Sequence, residues 1–111
     1  MDEPQTLPLR VSIRLDLPGG GRVGPGKIAL LEAIAEAGSI AAAARALGMS
    51  YPRAWGLVEA LDAALGTPAV TRAPGGQRGG GAALTEAGRA LIARYRAVEA
   101  AAQRQAGRLP L

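Results

Sequence analysis

A chain of 111 residues is long enough for one domain with a single modest core. It contains no cysteine and no histidine, which excludes thiolate and imidazole metal sites, cysteine nucleophiles and histidine-based triads. Its net charge is +4, and seven arginines between Arg72 and Leu111 face only Glu86 and Glu99, an imbalance that suits a polyanionic partner. No apolar run approaches the ~18 residues of a membrane span. The opening Met1-Asp2-Glu3-Pro4 lacks the apolar stretch of a signal peptide. A cytoplasmic location is the expectation.

Residues 1–6 are expected to be a disordered N-terminus. From Leu7 to Leu17 apolar and polar residues alternate strictly, with Leu7, Leu9, Val11, Ile13, Leu15 and Leu17 on one face. That period predicts a strand with one buried face, and a lone strand needs a partner strand. Gly21-Arg22-Val23-Gly24-Pro25-Gly26-Lys27 then fits the G-x-x-x-x-G-K spacing of a phosphate-binding loop. The hydroxyl that would hold magnesium is replaced by Ile28, and Pro25 removes a backbone donor. A hairpin-like turn leading into a helix is the better reading. Lys27 to Ala37 is that helix, with Ile28, Leu31, Ile34 and Ala35 inward and Gly38 ending it.

Ile40, Ala43, Ala44 and Leu47 form one face of a second helix capped by Ser39. Gly48 supplies the turn, and Ser50 caps a third helix whose stripe is Ala54, Leu57, Val58, Leu61 and Leu65. Two short helices joined by so tight a turn must cross steeply, which is the helix-turn-helix arrangement. It presents the first residues of its second helix to the DNA major groove. Residues 69–72 and 82–84 read as two strands of a hairpin, and the loop between them has a glycine-rich tip that carries Arg78. Such a wing reaches a minor groove or phosphates. Thr85 caps a last helix from Glu86 to about Gln105 with the stripe Leu91, Ile92, Tyr95, Val98 and Ala102. Residues 107–111 read as a frayed tail. The fold class is mainly α with a small β wing, a winged helix-turn-helix over residues 7–106 with an N-terminal strand and a long C-terminal helix.

Gly48-Met49-Ser50-Tyr51-Pro52-Arg53-Ala54-Trp55, with the glycine wing and Leu84-Thr85-Glu86-Ala87-Gly88, resembles the DNA-binding domain of ModE-type molybdate-responsive regulators. The element order is also similar to the broader LysR-type domain. The resemblance implies DNA binding and dimerisation without catalysis, and it implies a dimer interface that includes Leu91, Tyr95 and Val98. Regulators of this type carry a molybdate-binding portion after the winged domain, and the chain stops at Leu111. No cofactor is therefore expected in this chain, and a separate effector-sensing protein is a further candidate partner.

The candidate DNA contacts are Arg45, Ser50, Tyr51, Pro52, Arg53, Gly56, Arg72, Gln77 and Arg78, with Lys27 and Arg89 as further phosphate contacts. A guanidinium such as that of Arg53 can bridge guanine O6 and N7. Ser50 and Tyr51 can donate to phosphates at a helix N-terminus, where the dipole favours anions. Gly56 lies opposite the core stripe, where a backbone can approach closely. Trp55, the sole tryptophan, is expected to wedge the recognition helix against its neighbours. The expected function is a sequence-specific regulator of transcription that binds double-stranded DNA. The alternative is a winged domain that serves as a protein-interaction or assembly adaptor.

Overall fold

The computed structural model describes residues 5–73 and 81–111; Gln77, Arg78 and the rest of 74–80 lie outside the described residues, as do 1–4. Helix α1 (Pro25–Ala37) begins at Pro25 rather than Lys27, because proline fits the first helical position, where its missing N–H is not needed. Its buried residues are Ile28, Leu30, Leu31 and Ile34. Ala35, expected inward, is exposed with Glu36 and Ala37, and Leu30 takes its share of the stripe. This helix is the hub, in contact with all three other helices.

Helix α2 (Ile40–Ala46) is capped by Ser39, whose hydroxyl accepts the Ala42 N–H at 3.0 Å. Ile40, Ala43 and Ala44 are buried. Leu47, expected on the same face, is exposed, because the chain leaves the helix at that residue. The turn closes with the Gly48 N–H donating to Arg45 and the Met49 N–H donating to Ala44, with Gly48 at φ +69°. This is the glycine-dependent helix ending that the sequence predicts, and Met49 packs on the core in place of Leu47. Helix α3 (Tyr51–Leu65) follows, with the Ser50 hydroxyl accepting the Arg53 N–H at 3.2 Å. Ala54, Val58, Leu61 and Ala64 are buried, and Leu57 and Leu65 pack beside them.

The wing strands are β4 (Val70–Arg72) and β5 (Ala82–Leu84), antiparallel with Val70 opposite Leu84 and Arg72 opposite Ala82. The residue before β4 is held tightly. The Ala69 N–H donates to Asp62 Oδ1 at 2.8 Å, and the Ala69 carbonyl accepts the Thr85 N–H at 2.9 Å. The Thr85 hydroxyl donates to the Pro68 carbonyl at 2.7 Å and accepts the Gly88 N–H at 3.0 Å, capping helix α4 (Glu86–Ala106). A Cβ on Gly88 would stand 2.2 Å from the Ala69 carbonyl oxygen. The Leu-Thr-x-x-Gly run is thus a cap followed by a point of backbone contact.

The N-terminal stretch is not one continuous strand. It gives β1 (Thr6–Pro8) and β2 (Leu15–Asp16), and β2 pairs with β3 (Arg22–Val23). Val11, Ile13, Leu15 and Leu17 are half-buried and alternate with exposed residues as predicted, whereas Leu7 and Leu9 are exposed. Between the two strands the backbone is satisfied by α4 side chains. The Val11 N–H donates to Gln103 Oε1 at 2.9 Å, and the Tyr95 hydroxyl donates to the Ile13 carbonyl at 3.0 Å. Burial raises the Tyr95 phenol above its ordinary pKa, with Glu99 adding to the shift, so this donor stays protonated. Residues 107–111 are not a frayed tail, since β6 (Arg108–Pro110) pairs antiparallel with β1.

Helix α4 is about 31 Å long at 1.5 Å per residue, in a molecule 66 × 29 × 21 Å. Leu91 and Tyr95 were expected at a dimer interface, but both are buried in this chain's own core. The N-terminal stretch and α1 already cover them. Val98 is exposed, and beyond Tyr95 the helix buries no residue. Arg96 ties α4 to α1 through Glu32 at 2.6 Å and also meets Glu99 at 2.8 Å.

Gly88→Ala is expected to lower stability by about 1–3 kcal/mol, because the new methyl meets backbone rather than a flexible side chain. Thermal unfolding followed by circular dichroism should show Tm lower by about 5 °C or more. An unchanged Tm would contradict the contact between Gly88 and Ala69.

Candidate nucleic-acid interface

The first turn of α3 stands clear of the core. Tyr51, Pro52 and Arg53 are exposed, as are Ser50 just before them and Gly56 one turn on, while Ala54, Val58 and Leu61 bury the other side. The order of residues produces this, because a 3.6-residue period turns Pro52 and Gly56 away from that buried stripe. Ser50 uses its oxygen as a cap, which leaves its own O–H free to donate outward. Nothing in the protein lies within 4 Å of where a Gly56 Cβ would be. The fold itself therefore does not require glycine there, although glycine costs about 1 kcal/mol in a helix interior. Arg45 is exposed in the last turn of α2, ahead of the turn that leads into α3.

The wing meets α3 through two side chains. The Arg72 guanidinium lies over the Trp55 ring, 3.4 Å from its centroid. Trp55 is half-buried, so it acts less as a wedge in the core than as a platform that fixes a wing cation beside α3. Neither residue announces this pairing in the sequence, because it depends on the register of β4 relative to α3. Two other candidate cations are engaged by their own chain: Arg89 Nη1 donates to the Leu84 carbonyl at 2.9 Å, and Lys27 Nζ donates to the Arg22 carbonyl at 2.7 Å. In the G-x-x-x-x-G-K stretch, then, the lysine braces a hairpin strand.

Ser50, Tyr51, Pro52, Arg53 and Gly56 share one exposed surface, Trp55 brings Arg72 to the same helix, and Arg45 flanks the turn. Gln77 and Arg78 lie outside the described residues. Sequence reasoning passed over Arg14 and Arg22, which line a cleft with Arg53. Their signal was their place on the outward face of the alternating stretch and next to the glycine turn. Among the described residues, no group of three Asp, Glu, His or Cys side chains gathers to hold a metal ion.

A family model described as bacterial regulatory helix-turn-helix protein, lysR family, matches residues 26–89. The molybdenum-pterin-binding protein MopB of Rhodobacter capsulatus is 56% identical over 81 residues, which are 73% of this chain and 30% of that protein. MopA of the same organism is 47% identical over 100 residues, 90% of this chain and 38% of that protein. The DNA-binding transcriptional dual regulator ModE of Escherichia coli K12 is 42% identical over 71 residues, 64% of this chain and 27% of that protein. The chain thus spans about a third of the length of the curated relatives it matches. Among solved structures, the CbnR DBD–DNA complex aligns with a TM-score of 0.56 at 34% identity, covering 73% of this chain and 87% of that one. The matched residues 26–89 run from α1 through the wing to the start of α4, the very elements that build the exposed α3 surface. The chain belongs to the lysR family of bacterial regulatory helix-turn-helix proteins.

Proposed function

We propose that this chain is a sequence-specific DNA-binding domain of a transcriptional regulator, with no catalytic role and no cofactor of its own, acting in the cytoplasm. The single observation that carries the reading is the exposed first turn of α3, with Arg53 outward and Arg72 held beside the same helix by Trp55. A major groove about 12 Å wide admits a helix with its side chains. Arg53 then reaches base edges, Ser50 and Tyr51 donate to phosphates, and the bare surface of Gly56 lets the DNA approach the helix. Arg72 serves the adjacent backbone or minor groove. Arg45, exposed in the last turn of α2, serves a further backbone phosphate. The DNA named with CbnR and the regulator named ModE support this assignment.

The reading includes a homodimer. Past Tyr95, α4 carries exposed Val98, and β1, the residue after it and β6 add exposed Leu7, Leu9 and Leu109, a set of apolar side chains away from the α3–wing unit. Two copies joined there bring two recognition helices to one duplex, on half-sites separated by one helical turn or a multiple of it.

Arg53→Ala should weaken binding to a duplex enriched by the wild-type chain from a random pool by about 1–3 kcal/mol and relax base preference at one position per half-site. Unchanged affinity and preference would overturn the assignment of Arg53 to a base edge, and a wild-type chain that enriches no duplex would favour the protein-binding adaptor. In the same titrations Trp55→Ala and Arg72→Ala should each weaken binding, and the double variant should lose less than their sum, because the two act as one unit. Additive losses would contradict the platform role. Val98→Glu should shift the wild-type dimer towards monomer in sedimentation velocity, and a dimer that survives it would place the interface elsewhere.

A further inference from the structure

A cleft of about 370 Å³ opens on the flank of α3 that carries Arg53. Arg53 and Trp55 lie about 200° apart around the helix, so this flank is opposite the one that meets the wing. Arg14 from the end of the N-terminal stretch, Arg22 from β3 and Lys27 from α1 line the cleft with Arg53, around Gly24 and Gly26. The charges are only lightly engaged. Arg22 pairs with Asp16 at 3.1 Å with both side chains mostly exposed, a kind of ion pair that exchanges readily for another anion. Arg14 makes one long contact of 3.4 Å to the Ser12 hydroxyl. Lys27 donates once, to the Arg22 carbonyl, and keeps further N–H groups free.

The floor is the start of α1. Gly24 offers no capping side chain, the first turn has no acidic residue, and Pro25 has no N–H, so the Gly26 and Lys27 amides are the open donors. A Cβ at Gly26 would meet nothing within 4 Å, so this backbone is approachable. The hairpin that supplies Arg22 is braced on the recognition helix, since the Gly19 N–H donates to the Ala64 carbonyl at 2.8 Å. Cations from three segments and an uncapped helix start thus line one cleft with Arg53.

We propose that the β2–β3 hairpin and the start of α1 form a second phosphate-binding arm, which clamps the DNA backbone on the side of the recognition helix opposite the wing. The arm rests on the DNA reading above and extends it. The occupant is a backbone phosphate rather than a free anion because Arg53 is a shared wall: a duplex that holds α3 in its major groove runs its sugar-phosphate chain along this flank. Arg14 and Arg22 neutralise phosphates and read no base, so they add affinity without sequence preference.

The test titrates the wild-type chain, the Arg14→Gln/Arg22→Gln variant and Gly26→Glu with the selected duplex over a salt series. The double variant should bind about 30-fold more weakly near 0.15 M salt, with a salt slope shallower by about two and base preference unchanged. Its Tm should match that of the wild type. Gly26→Glu should keep or raise Tm, because a carboxylate suits a helix N-terminus, while it lowers DNA affinity by repelling the phosphate. If the wild type binds and both variants match it in affinity and slope, the arm is overturned and the DNA reading stands. A changed base preference would overturn the backbone assignment. Inorganic phosphate saturating the cleft below millimolar, with duplex binding unaffected by the variants, would make it a free-anion site instead. A wild-type chain that binds no duplex would overturn the DNA reading and the arm with it.

Discussion

Ala69 is held from both sides, its N–H by Asp62 of α3 and its carbonyl by the Thr85 N–H at the start of α4. Gly88 packs against that same carbonyl, and Thr85 reaches back to Pro68. This clasp sets where the wing begins relative to the recognition helix. Because β4 starts at the next residue, the position of Arg72 over Trp55 follows from it. Each of these bonds is worth only about 1 kcal/mol net. Their value lies in geometry, since leaving a partly buried carboxylate or amide unmatched costs more than the bond itself contributes. A wing that swung freely could not hold a guanidinium in register with a helix lying in a groove.

The rest of the molecule follows from a small core. Alanines at 43, 44, 54, 64 and 69 let backbones approach closely, and α1 fills the middle with Ile28, Leu30, Leu31 and Ile34. So little bulk cannot cover a 21-residue helix, and α4 continues past its last buried residue, Tyr95. The N-terminal stretch partly compensates by laying its backbone on α4 through Tyr95 and Gln103. The β1–β6 pair closes that end while leaving its leucines exposed. The chain therefore exposes Tyr51, Arg53 and Arg72 at the α3–wing unit, and Leu7, Leu9, Val98 and Leu109 among the arginines around the later turns of α4.

Local signals were legible in the sequence. Ser39, Ser50 and Thr85 cap three helices, Gly48 turns the chain between two of them, and the wing strands 70–72 and 82–84 fall within the predicted 69–72 and 82–84 on either side of a glycine-rich loop. Non-local facts were not. The stripe of Leu91, Tyr95 and Val98 is visible as periodicity, but nothing in the period says whether the chain itself or a partner covers it. Here the chain covers the first two. The same gap hid the pairing of β1 with β6, whose members stand at opposite ends of the sequence, and the stacking of Arg72 on Trp55. At the candidate interface the exposed turn of α3 was readable because a cap and a core stripe fix which way Arg53 points. The cleft beside it was not, because it depends on how a hairpin folds back onto α3.

The most direct measurement of whether α3 and its flanking cations serve a duplex is binding of the wild-type chain to random-sequence duplexes at two salt concentrations, followed by sequencing of the bound pool. The account predicts a steep loss of affinity with salt and an enriched motif with two-fold symmetry. No binding even at low salt would contradict it, and salt-sensitive binding with no enriched motif would contradict sequence reading by Arg53.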